Sequence, residues 1–301
     1  MQTSFIDKHK VFVQKNVLNA TKFKLESNIL RLDAINPVVS GNKFFKLQLP
    51  VAAAINEGKT TIATFGGSYS NHIVATACYC NQVGLNSVGI IRGEEALNLS
   101  QTMRDAASFG MKLHFLSREA FKEKERIKHD YGDETYYWIN EGGYSRLGAE
   151  GAKDIFDWID DSYTDIICAV GTGTMMAGLI AAALPHQKVT GICVLKGYEE
   201  QINDVKKLLT SSEQLKSFTI LHDYHFGGYA KHPLTLLEWM NSCYEKYLIP
   251  TDLIYTAKLC FAVQDLIKKG YFSERSKIMV IHSGGLQGNS SLENGKFQLL
   301  Y

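Results

Sequence analysis

Thr60-Thr61-Ile62-Ala63-Thr64-Phe65 runs into Gly66-Gly67-Ser68-Tyr69-Ser70-Asn71-His72, and an apolar stretch over 73–83 follows. The β-branched and aromatic run predicts a buried strand, and the glycines predict a turn. Ser70 and Asn71 read as N-caps of the helix beyond, or as part of a nest of amides for a carboxylate. The pattern recurs downstream as strand 86–92, helix 98–109, strand 112–117, helix 118–129 and strand 135–140. After Glu141-Gly142-Gly143 come helix 148–161, strand 165–170, helix 175–184, strand 189–195, helix 198–210 and strand 217–224. Two helices between 232 and 270 and strand 277–282 complete it. Strands alternating with helices predict an α/β protein with mainly parallel sheets and helices on both faces. The units are too many for one small sheet. A break near Gly142-Gly143 is the best boundary, and the chain is free to cross between domains more than once.

Upstream, residues 22–33 (KFKLESNILRLD) alternate and break at Ser27-Asn28, which predicts a hairpin. Then comes Ser40-Gly41-Asn42-Lys43-Phe44-Phe45-Lys46-Leu47. Ser40 and Asn42 are both candidate N-caps, so Lys43 is expected in the first turn of a helix. The helix dipole is positive there and disfavours an ammonium. A lysine with a disfavoured ammonium suits nucleophilic, Schiff-base chemistry. Taken alone, Lys43 reads more simply as a solvated surface lysine. Pro50 falls inside the apolar run 47–55 and predicts a kinked or divided helix.

The chain of 301 residues has room for one large or two medium domains, with 45% hydrophobic and 21% charged residues. Its formal net charge of +1 leaves no electrostatic footprint for nucleic acid or an anionic membrane. No apolar run is long enough to span a bilayer. The N-terminal MQTSFIDKHKVFVQ has charges where a signal peptide needs an apolar core, so a cytoplasmic protein is expected. Cys78, Cys80, Cys168, Cys193, Cys243 and Cys260 form no CxxC pair and no zinc spacing. They read as buried reduced thiols, and no metal site is expected.

Two further loops carry chemistry. Val170-Gly171-Thr172-Gly173-Thr174 leaves a strand and opens a small-residue helix, which is the build of a phosphate cradle. It is neither a Walker loop nor a GxGxxG fingerprint, and an ordinary strand-to-helix turn is the competing reading. Ile281-His282-Ser283-Gly284-Gly285 ends the last strand and would set a hydroxyl at the ligand edge of the sheet, although a bland turn fits as well. A Schiff-base lysine, a phosphate cradle and a carboxylate nest together point to pyridoxal phosphate.

Gly41-Asn42-Lys43-Phe44-Phe45-Lys46-Leu47, Gly66 to His72, Gly171 to Thr174 and His282-Ser283-Gly284-Gly285 stand in an order and at intervals that resemble one family. It is that of the pyridoxal-phosphate-dependent 1-aminocyclopropane-1-carboxylate deaminases and D-cysteine desulfhydrases, and the resemblance runs from about residue 22 to 290. It implies the tryptophan-synthase-β-like fold (fold type II). Residues 45–145 would form a smaller α/β domain, 1–44 and 146–301 a larger one, with the cofactor in the cleft between. It also implies a homodimer acting on a small amino acid.

By resemblance, Lys43 matches the lysine that binds the cofactor and Asn71 the asparagine at its ring hydroxyl. Gly171, Thr172, Gly173 and Thr174 match the phosphate loop, and Ser283 the hydroxyl at the pyridine nitrogen. Ser70 matches the serine beside the substrate carboxylate, and Tyr229 and Tyr255 the two active-site tyrosines. Lys46 matches a second lysine, for which a structural ion pair is expected. The chain also departs from the deaminase pattern. Thr256 stands where cyclopropane deaminases carry glutamate, and His72 where they carry glutamine. Without a carboxylate nearby, the pyridine nitrogen stays unprotonated and the ring is a weaker electron sink. D-Cysteine desulfhydrase-like α,β-elimination, giving a 2-oxo acid and ammonia, is therefore expected. The alternatives are cyclopropane ring opening to 2-oxobutyrate and ammonia, and a non-catalytic pyridoxal-phosphate-binding protein. The segment around Arg92-Gly93-Glu94 matches neither branch, which leaves room for a third specificity.

Overall fold

A computed structural model describes residues 6–292 and residue 299; Met1 to Phe5 of the N-terminal stretch, and most of the chain after 292, lie outside the described residues. The chain alternates strand and helix as expected. β1 (Val13–Gln14), β2 (Glu26–Arg31) and α1 (Asn42–Asn56) come first. β3 (Thr61–Gly67), α2 (Asn71–Val83), β4 (Asn86–Arg92), α3 (Gln101–Ser108), β5 (Met111–Leu116), α4 (Lys124–Tyr131) and β6 (Tyr136–Ile139) follow. Then come α5 (Arg146–Ala152), β7 (Asp165–Val170), α6 (Thr174–Ala182), β8 (Lys188–Cys193), α7 (Gln201–Lys207) and β9 (Phe218–Leu221). α8 (Leu234–Tyr247), α9 (Thr256–Lys268) and β10 (Lys277–His282) close the described fold.

The strands form two sheets, one of six in the order β1-β2-β10-β7-β8-β9 and one of four in the order β5-β4-β3-β6. Every pairing is parallel except β1 with β2. The side chains of β7 show why helices cover both faces. Ile166, Cys168 and Val170 point into one core with Ala149, Met176 and Ile180, while Ile167 and Ala169 point into another with Leu259, Val263 and Leu266. Alternate residues of a strand face opposite ways, so a strand apolar at every position needs a cover on each side. In the smaller sheet, Phe65 and Ile90 pack on Ile127 of α4, and Ile91 packs on Ile73 and Met103 of α2 and α3. All six cysteines are free and buried.

Three expectations are corrected. Residues 22–33 form no hairpin, because Glu26–Arg31 is one uninterrupted strand lying parallel to β10, with Ser27 opposite Ile278 and Asn28 opposite Met279. Asn28 does not turn the chain. Its amide donates to Glu26 and to the hydroxyl of Tyr163, each at 2.8 Å, and its carbonyl accepts from the Asn16 amide. α1 is not divided at Pro50 but continues through it to Asn56. Nor do Ser40 and Asn42 cap that helix. The N-cap is Gly41, at φ 58, with no side-chain cap. A Cβ on Gly41 would lie 1.9 Å from the carbonyl oxygen of Ser283, so only glycine allows the two loops to meet.

Candidate active site

The carboxyl ends of the two sheets open on a common cavity of about 1110 Å³. Lys43, Ser70, Asn71, Gly171, Thr172, Gly173, Thr174, Tyr229, Tyr255 and Ser283 all line it. Each arrives by its own local device. Lys43 stands in the first turn of α1, whose Asn42 amide donates to the Ser283 carbonyl at 3.1 Å. Ser70 is the N-cap of α2 and accepts from the Ile73 amide, which is the capping reading of that loop. Gly66 passes so close to Ser70 and Ile73 that a Cβ there would lie 2.6 Å from the Ile73 side chain. In the third loop, Gly173 turns at φ 84 into α6, and Thr172 and Thr174 share a hydroxyl hydrogen bond of 3.0 Å. Gln201 donates to the Gly171 carbonyl at 2.6 Å and steadies the loop from behind. The Ser283 residue is buried at the end of β10, and its carbonyl is what anchors Lys43's helix.

Three nitrogen bases share the cavity floor. Burial draws Lys43 down to about 8, against the opposing pull of the Asp252 carboxylate. Its Nζ donates to Asn42 at 2.8 Å. Burial, then the charge of Lys43, puts Lys46 well below its ordinary range. The ion pair expected for Lys46 is absent among the described residues, since no carboxylate stands within pairing distance of it. Burial and the two lysines likewise hold His72 well below its usual range, hence neutral. Thr64 gives its proton to the Ile139 carbonyl at 2.8 Å, so His72 Nε2 must donate to Thr64 Oγ1 at 2.9 Å. That leaves His72 Nδ1 buried without a partner.

The tyrosines form a second wall. Their hydroxyls are 3.2 Å apart and their rings meet edge to face at 79°. Burial lifts both phenols, and Tyr255, in contact with Tyr229, lies well above the ordinary range. Two residues that the sequence reading passed over hold this wall. Asp252 is fully buried and accepts from the amides of Ile254, Tyr255 and Thr256 at 2.8–2.9 Å and from the Thr256 hydroxyl at 2.7 Å. Lys258, also fully buried, donates to the carbonyls of His225, Gly228 and Tyr229. An acidic residue four positions before Thr256, at a helix start, was the available signal for Asp252. Lys258 carries no comparable signal.

Buried polar groups are normally hydrogen-bonded, and those left over mark where another molecule belongs. Asn71 is 7% exposed and its Oδ1 has no partner, while its Nδ2 donates weakly to the Gly285 carbonyl at 3.3 Å. The orphaned Asn71 oxygen, the unpaired Lys46 amine and the amides of Gly171 to Thr174 are donor and acceptor groups suited to an anionic ring bearing a phosphate. They fit pyridoxal phosphate, and Lys43 lines the same cavity. Among the described residues, no group of three or more His, Cys, Asp or Glu gathers to hold a metal ion.

The chain is 31% identical over 288 residues to a putative 1-aminocyclopropane-1-carboxylate deaminase of Thermotoga maritima, covering 89% of this chain and 91% of that one. It is 26% identical to the bifunctional D-cysteine desulfhydrase/1-aminocyclopropane-1-carboxylate deaminase of Arabidopsis thaliana, covering 86% and 72%. A crystal structure described as an ACC deaminase homologue superposes with a TM-score of 0.78 at 24% identity, over 93% of this chain and 90% of that one, which shows the shared fold. Residues 18–284 match the family described as pyridoxal-phosphate dependent enzyme. That match spans most of the chain, and the chain belongs to the pyridoxal-phosphate dependent enzymes.

Proposed function

We propose that this enzyme catalyses α,β-elimination on a small amino acid of the D-cysteine type, releasing a 2-oxo acid and ammonia. The observation that carries the choice is the state of Thr256. Its hydroxyl donates to Asp252 at 2.7 Å and accepts from the Asp252 amide, and it does not line the cavity. The position of a deaminase glutamate therefore offers nothing to a cofactor ring. Ser283 lines the cavity as a neutral group, and the buried Asp252 carboxylate is engaged by the Thr256 hydroxyl and three amides. This supports removal of an α-proton and loss of a good leaving group over opening of a cyclopropane, which has no α-proton.

Gly171, Thr172, Gly173 and Thr174 would hold the phosphate, Asn71 the ring hydroxyl and Ser283 the ring nitrogen. Pyridoxal phosphate supplies an electron sink that makes the substrate α-C–H acidic. The loop at Ser70 and Asn71 would receive the substrate carboxylate, through donors other than the Ser70 amide, which donates to the Gly67 carbonyl at 3.0 Å. Lys43 Nζ, its proton affinity lowered to about 8, takes the α-proton. The bond from Cβ to sulfur breaks, its electron pair leaves with the sulfur, and the hydroxyl of Tyr229, itself hydrogen-bonded by Tyr255, protonates it. Water then converts the released enamine to pyruvate and ammonia.

The division into a smaller domain at 45–145 and a larger one at 1–44 and 146–301 is part of this proposal. Its support is that all four strands of the smaller sheet fall between Thr61 and Ile139. A homodimer is what the resemblance implies, and a cytoplasmic location fits six unpaired thiols. No helix among the described residues is long and apolar enough to cross a membrane.

Lys43→Ala tests the assignment. Loss of the cofactor's Schiff-base absorbance together with turnover is expected; an unchanged spectrum and rate would refute the role of Lys43.

A further inference from the structure

Beyond the groups that face cofactor and α-carboxylate, the cavity has a second charged region. β5, β4, β3 and β6 lie parallel and side by side, so their carboxyl ends form one edge. Arg118 follows β5, Arg92 ends β4, the Gly67 to Ser70 loop ends β3, and Glu141 follows β6; all line the cavity. Neighbouring strands are about 4.8 Å apart, so Arg92 stands one strand from the carboxylate loop and Arg118 two strands away. A Cβ on Gly67 would lie 3.8 Å from an Arg92 guanidinium nitrogen. Lys124 opens α4 and completes the region. Its Nζ lies 3.1 Å from the ring centroid of Phe121 and 4.1 Å from that of Phe65. Glu141 is 3.8 Å away, and that buried ammonium has no hydrogen-bond acceptor among the described residues. Burial lowers it only to about 8, so it stays largely charged at neutral pH. Arg92 and Arg118 are exposed on the rim, and among the described residues neither has a carboxylate partner. Three cations face one carboxylate.

A short neutral side chain would use none of this. An ammonium held over two rings, with one carboxylate at 3.8 Å and no hydrogen-bond acceptor, keeps donor capacity for an oxyanion. Guanidinium forks match oxyanions in two-point fashion. Tyr229, the proposed proton donor to the leaving group, lines the same cavity as Arg92 and Arg118.

We propose that this wall is a subsite for a side-chain oxyanion, so that the preferred substrate is an amino acid whose β-substituent carries a carboxylate, sulfonate or phosphate held by Arg92, Arg118 and Lys124. The inference rests on the elimination reading above.

The test is calorimetric titration of the cofactor-loaded protein with aspartate and with asparagine, in both enantiomers. The two are the same size and differ in side-chain charge, and neither needs to be turned over. Aspartate is expected to bind at least about tenfold tighter, the worth of one charge-assisted bond. Arg92→Ala and Arg118→Ala should each shrink that ratio to a few-fold, and Arg118→Lys should restore part of it. O-Phosphoserine against serine, run alongside, shows whether the wall prefers phosphate to carboxylate. Equal affinity for aspartate and asparagine overturns the subsite, as does a ratio that survives both alanine variants. Should Arg92→Ala lose its cofactor, the rim residue Arg118 gives the answer. Production of 2-oxo acid is scored separately with O-phosphoserine, because aspartate has no β-leaving group: an aspartate preference with no pyruvate from O-phosphoserine supports the subsite and counts against the reaction.

Discussion

Lys258 Nζ donates to the carbonyl oxygen of Gly228 at 2.6 Å, from a side chain with no exposure to solvent. The same ammonium takes the carbonyls of His225 and Tyr229, each at 3.0 Å, so it ties off the turn Phe226-Gly227-Gly228. That turn needs three consecutive positive φ angles, 53°, 94° and 136°, and would not hold its shape alone. One helix therefore sets both tyrosines. Tyr255 precedes α9, and Lys258 in its first turn fixes Tyr229.

Lys258→Met should loosen the turn and leave the Tyr229 carbonyl unpaired, while the His225 and Gly228 carbonyls keep only the amides of Gly228 and Lys231. A stability loss of about 2–4 kcal/mol is expected, from lost hydrogen bonds to a charged donor. The turnover number should fall about tenfold through misplacement of Tyr229, with the cofactor still bound. Thermal melting and steady-state kinetics read the two effects.

Tyr229→Phe should lower turnover about a hundredfold if Tyr229 is the proton donor, and Tyr255→Phe about tenfold, since it only orients its neighbour. Burial raises both phenols above their ordinary range, so both keep their protons at neutral and mildly alkaline pH. Turnover in the native enzyme should then show no fall from this pair at mildly alkaline pH. A phenylalanine variant at position 229 with native turnover would remove it from the mechanism.

Cofactor loading reports on Lys43. Attack on an aldehyde needs the neutral amine, and Lys43 titrates at about 8. The loading rate should climb nearly tenfold per pH unit below 8 and level off above it. Asp252 is the negative charge that raises this value, so Asp252→Asn should move the profile to lower pH. The same variant weakens the cap on residues 254–256 and should cost about 1–2 kcal/mol of stability. Stopped-flow absorbance after mixing apoprotein with pyridoxal phosphate checks the sign.

Gly41→Ala should be among the most damaging small substitutions. The added carbon would lie 1.9 Å from the Ser283 carbonyl oxygen, at a φ of 58°. Backbone must move, and α1 carries Lys43 with it. A stability loss of roughly 2–4 kcal/mol and weaker cofactor retention are expected, measured by melting and by dialysis.

The alternation of strands and helices was legible because parallel strands buried on both faces read as continuous apolar runs. β4 and β7 fall at the expected residues for that reason, as does β10. The three loops assigned to the site were legible because glycine marks each of them, and every residue assigned to the site lines one cavity. What was hidden depends on distant partners. Ser27-Asn28 resembles a turn until Tyr163, 135 positions away, is seen to take the Asn28 amide. Gly41 resembles an ordinary flexible approach until Ser283 is placed against it. Lys46 suggested an ion pair, but its surroundings are another lysine and a neutral histidine. Lys258 acts only on main-chain carbonyls, which no residue type announces.

The central claim is elimination from an amino acid with a β-leaving group. Purified, cofactor-loaded protein should be incubated separately with D-cysteine and with 1-aminocyclopropane-1-carboxylate, and the 2-oxo acid identified by mass. The account expects pyruvate and sulfide in equal amounts from D-cysteine and no 2-oxobutyrate from the cyclopropane. 2-Oxobutyrate from the cyclopropane, with D-cysteine left intact, would contradict it and show that Thr256 does not prevent ring opening.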